Sequence, residues 1–379
     1  MDSLNLASPD ITERERELVT AVMGGTILSG GPMLLRLESM MAERSGRNHA
    51  IGVSNGTAAL HLIVRGLGLG LGDAVITTAF SFVASSNCLL FEGVEPIFVD
   101  IEDRTFNLDP ELVRKTLLED DARRLRIKAI LAVDIFGHPA DWSALRDIAD
   151  EFDLLLIEDS AESLGSAFRG EKAGSFGDAG VFAFYPNKQV TTGEGGAVLT
   201  DDDDFAELCR SLRNQGRGPS SEWLEHVRLG FNYRLSELHA ALGVAQFERL
   251  DEILDKRAQV ATWYDEHLAS VPFLSAPARE SIADVAWFVY VIRLKPGVDR
   301  TTVMEQCKES GIPTRPYFPA IHLMPHYRKP YGYSPGDLPI TEAVSPATLA
   351  LPYHANMTED QVIYVCEQLY SMKEEFAVG

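Results

Sequence analysis

Cysteine is scarce in this sequence. Cys88, Cys209, Cys307 and Cys366 are the four among 379 residues, and no two have the spacing of a disulfide framework or a zinc site. Each lies in or beside an apolar run, so buried thiols are expected and no metal is. Long uncharged stretches are missing as well. No segment is apolar enough for long enough to span a bilayer, and the opening MDSLNLASPDITERERE has no basic region followed by an apolar one. A cytoplasmic location without membrane partners is the expectation. Positive charge is in deficit: 34 Lys and Arg against 56 Asp and Glu leave a formal net charge of −22. That balance argues against a general nucleic-acid or anionic-membrane binder. It leaves room for a phosphorylated small ligand, which backbone donors and a few cations can hold inside an acidic protein. Repeats, low-complexity tracts and disordered linkers are also absent.

What is present is an ordinary globular composition, 45% apolar and 24% charged, in a chain able to bury a large core. Thr12 and Glu15 form a capping-box pair before an amphipathic helix bearing Leu18, Val19, Val22 and Met23, which breaks at Gly24-Gly25. Compact units then alternate. HAIGV, AVITT (74–78), VEPIFVD (94–100), KAILAVDIFG (128–137) and DLLLIED (153–159) read as strands, and stretches such as SFVASSNCLLFEG, DPELVRKTLL and SALRDIADEF read as helices. This alternation predicts an α/β fold: a large three-layer domain with a mostly parallel, mixed central sheet. GVFAF and GGAVLT extend the sheet, and a mainly helical stretch runs to about residue 268. WFVYVIRLK and IPTRPYF, separated by the helix TVMEQCKESG and followed by a last helix, suit a smaller C-terminal α+β domain. The expected division is 1–255, an N-terminal helix plus the large domain, and 256–379.

Ligands of such sheets bind beyond the carboxyl ends of the strands, where Asp134 and Asp159 fall. The stretch 154–200 concentrates the chemistry. LLLI delivers Glu158 and Asp159, and GVFAF leads into a loop that carries Lys188 and ends in TTGEGG. A strand-end acid can partner a cationic heterocycle, and a lysine in a glycine-rich loop can present a nucleophilic amine. Each has a plainer reading: a loop lysine is usually solvated, and Asp159 can equally cap a helix. Phe82 follows a strand end and can offer its face to a ring. Gly56 and Thr57, in SNGT, open a helix whose unpaired N–H groups suit a phosphate. Asn232, in GFNYR, adds polar donors beside a glycine.

Seven stretches together resemble the motifs of the DegT/DnrJ/EryC1/StrS family, in order and over nearly the whole chain. They are SNGTAALHL (54–62), GLGLGLGDAVITTAFSFVASSN (66–87), VEPIFVD (94–100), DIFGHPADW (134–142), IEDSAESLGSAFRGEKAGSFGDAGVFAFYPNKQVTTGEGG (157–196), LGFNYRLSELHAALGVAQFERL (229–250) and FPAIHLMPHY (318–327). These are the sugar aminotransferases of the aspartate aminotransferase-like, fold type I class, which use pyridoxal 5'-phosphate (PLP). The resemblance implies that Lys188 bonds to the cofactor and moves the proton, while Asp159 pairs with the pyridine nitrogen and Phe82 stacks on the ring. It further implies that Gly56 and Thr57 cradle the phosphate and that Asn232 reaches the phosphate in the neighbouring subunit, so that the protein is a homodimer with shared sites. Glu162 stands where the family commonly has glutamine or histidine near the phenolic oxygen of the cofactor, and Ala183 where many members have a phosphate-binding serine. Tyr317 and His322 match the region lining the sugar site. Some relatives replace the lysine with histidine and catalyse dehydration; Lys188 aligns this chain with the transaminases. The implied reaction is ping-pong, from L-glutamate to a 3-keto or 4-keto sugar carried on a nucleotide diphosphate. A keto-cyclitol, an aromatic-amine precursor, or a non-catalytic binding or regulatory role on the same scaffold are the alternatives.

Overall fold

Apolar five-residue runs that alternate sides build the frame, in a computed structural model that describes residues 4–119, 126–218 and 225–376. The strands are β1 (His49–Val53), β2 (Ala74–Thr78), β3 (Glu95–Val99), β4 (Ile127–Val133), β5 (Leu155–Asp159), β6 (Ala167–Phe168), β7 (Glu171–Lys172), β8 (Ala179–Ala183) and β9 (Gly196–Thr200). Seven of them form one sheet in the order β1-β9-β8-β5-β4-β2-β3. Strand β9 runs antiparallel to both its neighbours, and all the other pairings are parallel. Successive side chains on a strand point to opposite faces. Accordingly Val75, Leu131, Val181 and Val198 join one core with the helix Gly56–Gly66. On the opposite face Ile76 and Ile130 pack with the helix Trp142–Phe152, and Phe182 and Leu199 pack with the helices Pro32–Ser45 and Glu237–Glu248. Helices on both faces complete the three layers that the alternation predicts.

A second sheet is wholly antiparallel. It comprises β10 (Leu274–Ser275), β12 (Tyr290–Leu294), β14 (Thr348–Leu351) and β13 (Arg315–Pro316), in that spatial order, while β11 (Ala283–Asp284) pairs instead with β6. The helices Leu250–Leu268, Arg300–Glu309 and Glu359–Ser371 pack on the second sheet through Val260, Tyr264, Val303, Val362 and Leu369. Residues 255 and 256 both lie inside the continuous helix Leu250–Leu268. Its first turn, Leu250 and Ile253, belongs to the core around β8 and β9, and its later residues, from Val260, belong to the second core.

IPTRPYF contributes only two strand residues, because Pro313 and Pro316 leave too few N–H donors for a longer ladder. The β6–β7 hairpin has no expectation in the sequence. Its turn places Arg169 and Gly170 at positive φ, the pair of conformations that a two-residue hairpin of matching twist requires. All four cysteines are buried free thiols. Among the described residues, no helix is long and apolar enough to cross a membrane.

Candidate active site

Glu158 and Asp159 end the same strand one position apart, so they face opposite sides of the sheet. Glu158 accepts hydrogen bonds from the backbone N–H groups of Phe176 (2.7 Å) and Gly177 (3.3 Å), and from Gly174 and the Ser160 hydroxyl. It fastens the 174–177 turn beneath the sheet. Asp159 faces the other way, accepting from the Ser85 hydroxyl at 2.7 Å and from the Ala161 N–H at 3.1 Å. Asp134, at the end of β4, is consumed by structure: it accepts from Ala140 N–H (2.9 Å), Trp142 Nε1 (2.9 Å) and the Ser163 hydroxyl (2.6 Å). Of the strand-end acids, only Asp159 is left to the site.

Lys188 leaves the loop after β8 and turns inward. Its side chain is only 13% exposed, and Nζ stands 3.5 Å from Oε1 of Glu162 and 3.9 Å from the centre of the Phe288 ring. A solvated loop lysine is therefore not what the fold makes. The loop is held by Gln189, whose amide donates to the carbonyls of Glu162 and Ala286 (2.7 Å for the latter), and by Thr191, whose N–H donates to Gln246 at 3.2 Å. Glu162 is buried, with its second oxygen accepting the Phe136 N–H at 3.0 Å. Burial pushes the Asp159 carboxyl above its usual range, against the pull of Ser85, Ala161 and the Lys188 charge. Glu162 is likewise pushed up by burial, with Lys188 acting in the opposite sense. Two carboxyls thus compete for one ammonium in a dry site, where charge interactions are strong.

Around this centre the other expected residues fall into three groups. Phe82 is tied in through Ser85, whose hydroxyl lies 3.2 Å from the Phe82 carbonyl as well as on Asp159; the Phe82 ring itself is 60% exposed. Tyr317 is close enough to Glu162 for the carboxylate to add to the effect of burial in raising its phenol pKa. Gly56 and Thr57 form the first turn of their helix, capped by Asn55, which accepts from Ala58 N–H at 2.8 Å. That turn sits hard against the sheet: a Cβ on Gly56 would lie 2.8 Å from the Cβ of Ala183, and one on Gly196 would lie 2.7 Å from the Gly56 nitrogen. Asn232 is exposed on a segment that runs beside the same turn, since Ser54 N–H donates to the Tyr233 carbonyl at 2.8 Å and Val53 bridges Arg234. His322 is fully buried in the single chain, with Nε2 3.1 Å from Oε1 of Glu342 and its ring 5.9 Å from that of Tyr333, so it presents no surface there.

Ser85, Phe136 and Phe288 were not singled out in the sequence. Ser85 had a faint signal, one helical turn after Phe82 in SFVASS. Phe288, in a run that reads as strand and 100 positions from Lys188, had none. The assembled group offers an inward amine, a carboxylate held by two donors, an aromatic face, and a tight turn with outward N–H groups at a helix start. One further buried polar atom, the side-chain oxygen of Asn187 next to Lys188, has no hydrogen-bond partner among the described residues.

Comparison with known proteins adds to this geometry. A family model described as the DegT/DnrJ/EryC1/StrS aminotransferase family matches residues 9–370. The GDP-perosamine synthase of Caulobacter vibrioides is 38% identical over 97% of this chain and 98% of the relative. A pleiotropic regulatory protein of Geobacillus stearothermophilus is 33% identical over 99% of this chain and 100% of its own. Among solved structures, S. venezuelae DesV in complex with a ketimine intermediate superposes with a TM-score of 0.88 at 32% identity, covering 96% of this chain and 95% of the other. DesI, solved in the presence of its TDP-sugar product, gives 0.89 at 32% identity over 98% and 93%.

Proposed function

We propose, from the premise that the chain belongs to the DegT/DnrJ/EryC1/StrS aminotransferase family, that it moves the amino group of L-glutamate to the keto carbon of a nucleotide-diphosphate sugar. The protein is a PLP-dependent aminotransferase by family and relatives. The names of two relatives, one a GDP-sugar and one a TDP-sugar enzyme, favour a nucleotide-linked acceptor over a keto-cyclitol.

The residues present fit the cofactor. Gly56 and Gly196 let the helix start sit against the sheet, a Cβ on Gly56 falling 2.8 Å from that of Ala183, and the first-turn N–H groups of Gly56 and Thr57 are the donors a phosphate needs. The carboxylate of Asp159 can hold a ring N–H, and the 60% exposed face of Phe82 is free to cover a ring. Tyr317 lies on the Glu162 side and is the residue we assign to the sugar. Asn232, exposed next to the turn, is assigned to the neighbouring subunit of a homodimer.

When bound, PLP supplies a carbonyl for the amine and an electron-poor ring that spreads the charge of the substrate carbon. Asp159 keeps the ring-nitrogen proton in place. Lys188, freed by the incoming amino acid, would take the proton from the substrate carbon and give it back on the far side of the substrate nitrogen, a positioned general base and then acid. The observation that carries the reading is the burial of the Lys188 amine between Glu162 and Phe288, within the group that holds Asp159.

The test is spectroscopic. Purified protein reconstituted with PLP should develop a lysine-dependent visible absorbance that glutamate bleaches, and Lys188→Ala should slow that half-reaction about 10²–10⁴-fold. Incubating the bleached form with GDP-, TDP- and UDP-linked 3-keto and 4-keto sugars should restore the colour with one class. Restoration only by a keto-cyclitol would replace the acceptor, and no bleaching by any amino acid would favour the regulatory reading suggested by one relative's name.

A further inference from the structure

Glu162 and Lys188 form a buried ion pair with little else to support the carboxylate. Their side chains are 6% and 13% exposed, and among the described residues Glu162 has, beyond the lysine, a single backbone N–H, from Phe136 at 3.0 Å. Three titratable groups face Glu162: Lys188 from the loop after β8, Asp159 from the end of β5, and Tyr317 from the segment after β13. Lys188 is the one cation among them. Asp159 has its own hydroxyl and N–H donors, so Glu162 depends on the lysine charge more than Asp159 does.

That dependence matters because an ammonium is not a nucleophile. Before its nitrogen can bond to a carbonyl carbon, Lys188 must lose a proton, and with that proton Glu162 loses its counterion. A buried carboxylate without a partner is strongly disfavoured and takes up a proton instead. The nearest available proton is the one just released, 3.5 Å away and within reach after a small rotation of the flexible lysine stem.

We propose that Glu162 is the internal acceptor of the Lys188 ammonium proton and holds it, as a neutral carboxylic acid, for as long as the cofactor is in the site. This rests on Lys188 being the cofactor-bearing lysine. One N–H bond breaks, one O–H bond forms, and the site's total charge is unchanged by the transfer. The neutral acid then acts as a hydrogen-bond donor towards the cofactor side, where the carboxylate was an acceptor only. When an amino donor frees Lys188, Glu162 keeps the proton, so the lysine leaves as the neutral amine that can act as base; the proton returns only when the cofactor leaves the site. Burial already biases Glu162 in this direction, since it raises the carboxyl above its usual range while Lys188 opposes the shift. A glutamine at this position could neither take nor return the proton.

The experiment is infrared difference spectroscopy on the full chain. Wild type minus Glu162→Gln should show an ionised carboxylate in cofactor-free protein and a protonated carboxyl band after loading with PLP. Cofactor-free Lys188→Ala, against Lys188→Ala/Glu162→Gln, should show the protonated band already. A Glu162 carboxylate that stays ionised in the loaded wild type or in Lys188→Ala would overturn the proposal, as would one already protonated in cofactor-free wild type. Loading is followed by the visible absorbance. If none forms, the cofactor reading fails separately, and the cofactor-free comparison still decides whether the two charges are linked. Should the Gln variant misfold, the difference between wild type and Lys188→Ala reads the same band directly.

Discussion

At the scale of single residues, adjacent acids in one strand have opposite roles. Glu158 spends its acceptors on backbone N–H groups of a turn, while Asp159 keeps its oxygens on the side of Ser85 and Lys188. Replacing Asp159 by alanine should leave the fold and some PLP binding intact while slowing the glutamate half-reaction. The expected loss is about 10- to 100-fold, the equivalent of one charge-assisted hydrogen bond at about 1.5–3 kcal/mol. Stopped-flow bleaching of the loaded protein measures it, and an unchanged rate would remove Asp159 from the chemistry. Lys188 illustrates what a loop position conceals: its neighbours Pro186, Asn187 and TTGEGG suggest exposure, yet Gln189 and Thr191 pin the loop so that the amine points inward.

At the scale of elements, two buried carboxyl groups hold helices in place. Glu237 is the first residue of its own helix and also receives the N–H groups of Gly31 (2.9 Å), Met33 (2.8 Å) and Leu34 (3.0 Å), at the start of the helix Pro32–Ser45. Negative charge at a helix N-terminus and charge-assisted bonds act together here, so Glu237→Ala should destabilise the protein by about 2–4 kcal/mol in chemical denaturation. Asp134 joins the end of β4 to the helix Trp142–Phe152 through Ala140 and Trp142. Burial, and then the nearby Glu158, push its carboxyl up to about 8. The folded chain therefore keeps a proton that the unfolded chain gives up above about 4. The contribution to stability is complete below that ordinary value and is lost as pH rises through about 8. Asp134→Asn should flatten the fall of the denaturation midpoint across that window, leaving the part due to Glu158, which burial also raises. An identical slope in the variant would show that Asp134 does not titrate there.

At the scale of the whole molecule, several large apolar residues are exposed. Met23, Ile27, Leu28 and Leu35, near the N-terminal helices, and Val227 and Leu229, just before Asn232, all stand open in the single chain. If sites are shared across a homodimer, mixing Asn232→Ala with Lys188→Ala should regenerate one intact site in each mixed dimer. Full random exchange would then restore about a quarter of wild-type activity. Verified exchange without recovery would mean that each chain completes its own site. The charge of −22 leaves general nucleic-acid binding disfavoured at this scale too.

Much of this was legible in the sequence because it depends on local, repeating physics. The alternation of apolar strands and amphipathic helices, the capping box at Thr12, and the strand-end position of Asp159 follow from periodicity and from backbone groups that need partners. The order of the motifs from SNGT to GFNYR was likewise enough to suggest the family. What only the tertiary structure decided is which of those groups are dry and which way they face. It put Phe288 beside Lys188, gave Ser85 to Asp159, turned Glu158 and Asp134 to structural use, closed His322 away with Glu342, and set Glu162 against the lysine. Burial and charge pairing arise between residues distant in the chain, and no local pattern encodes the dielectric around a carboxylate. That is the property on which the Glu162–Lys188 proton depends.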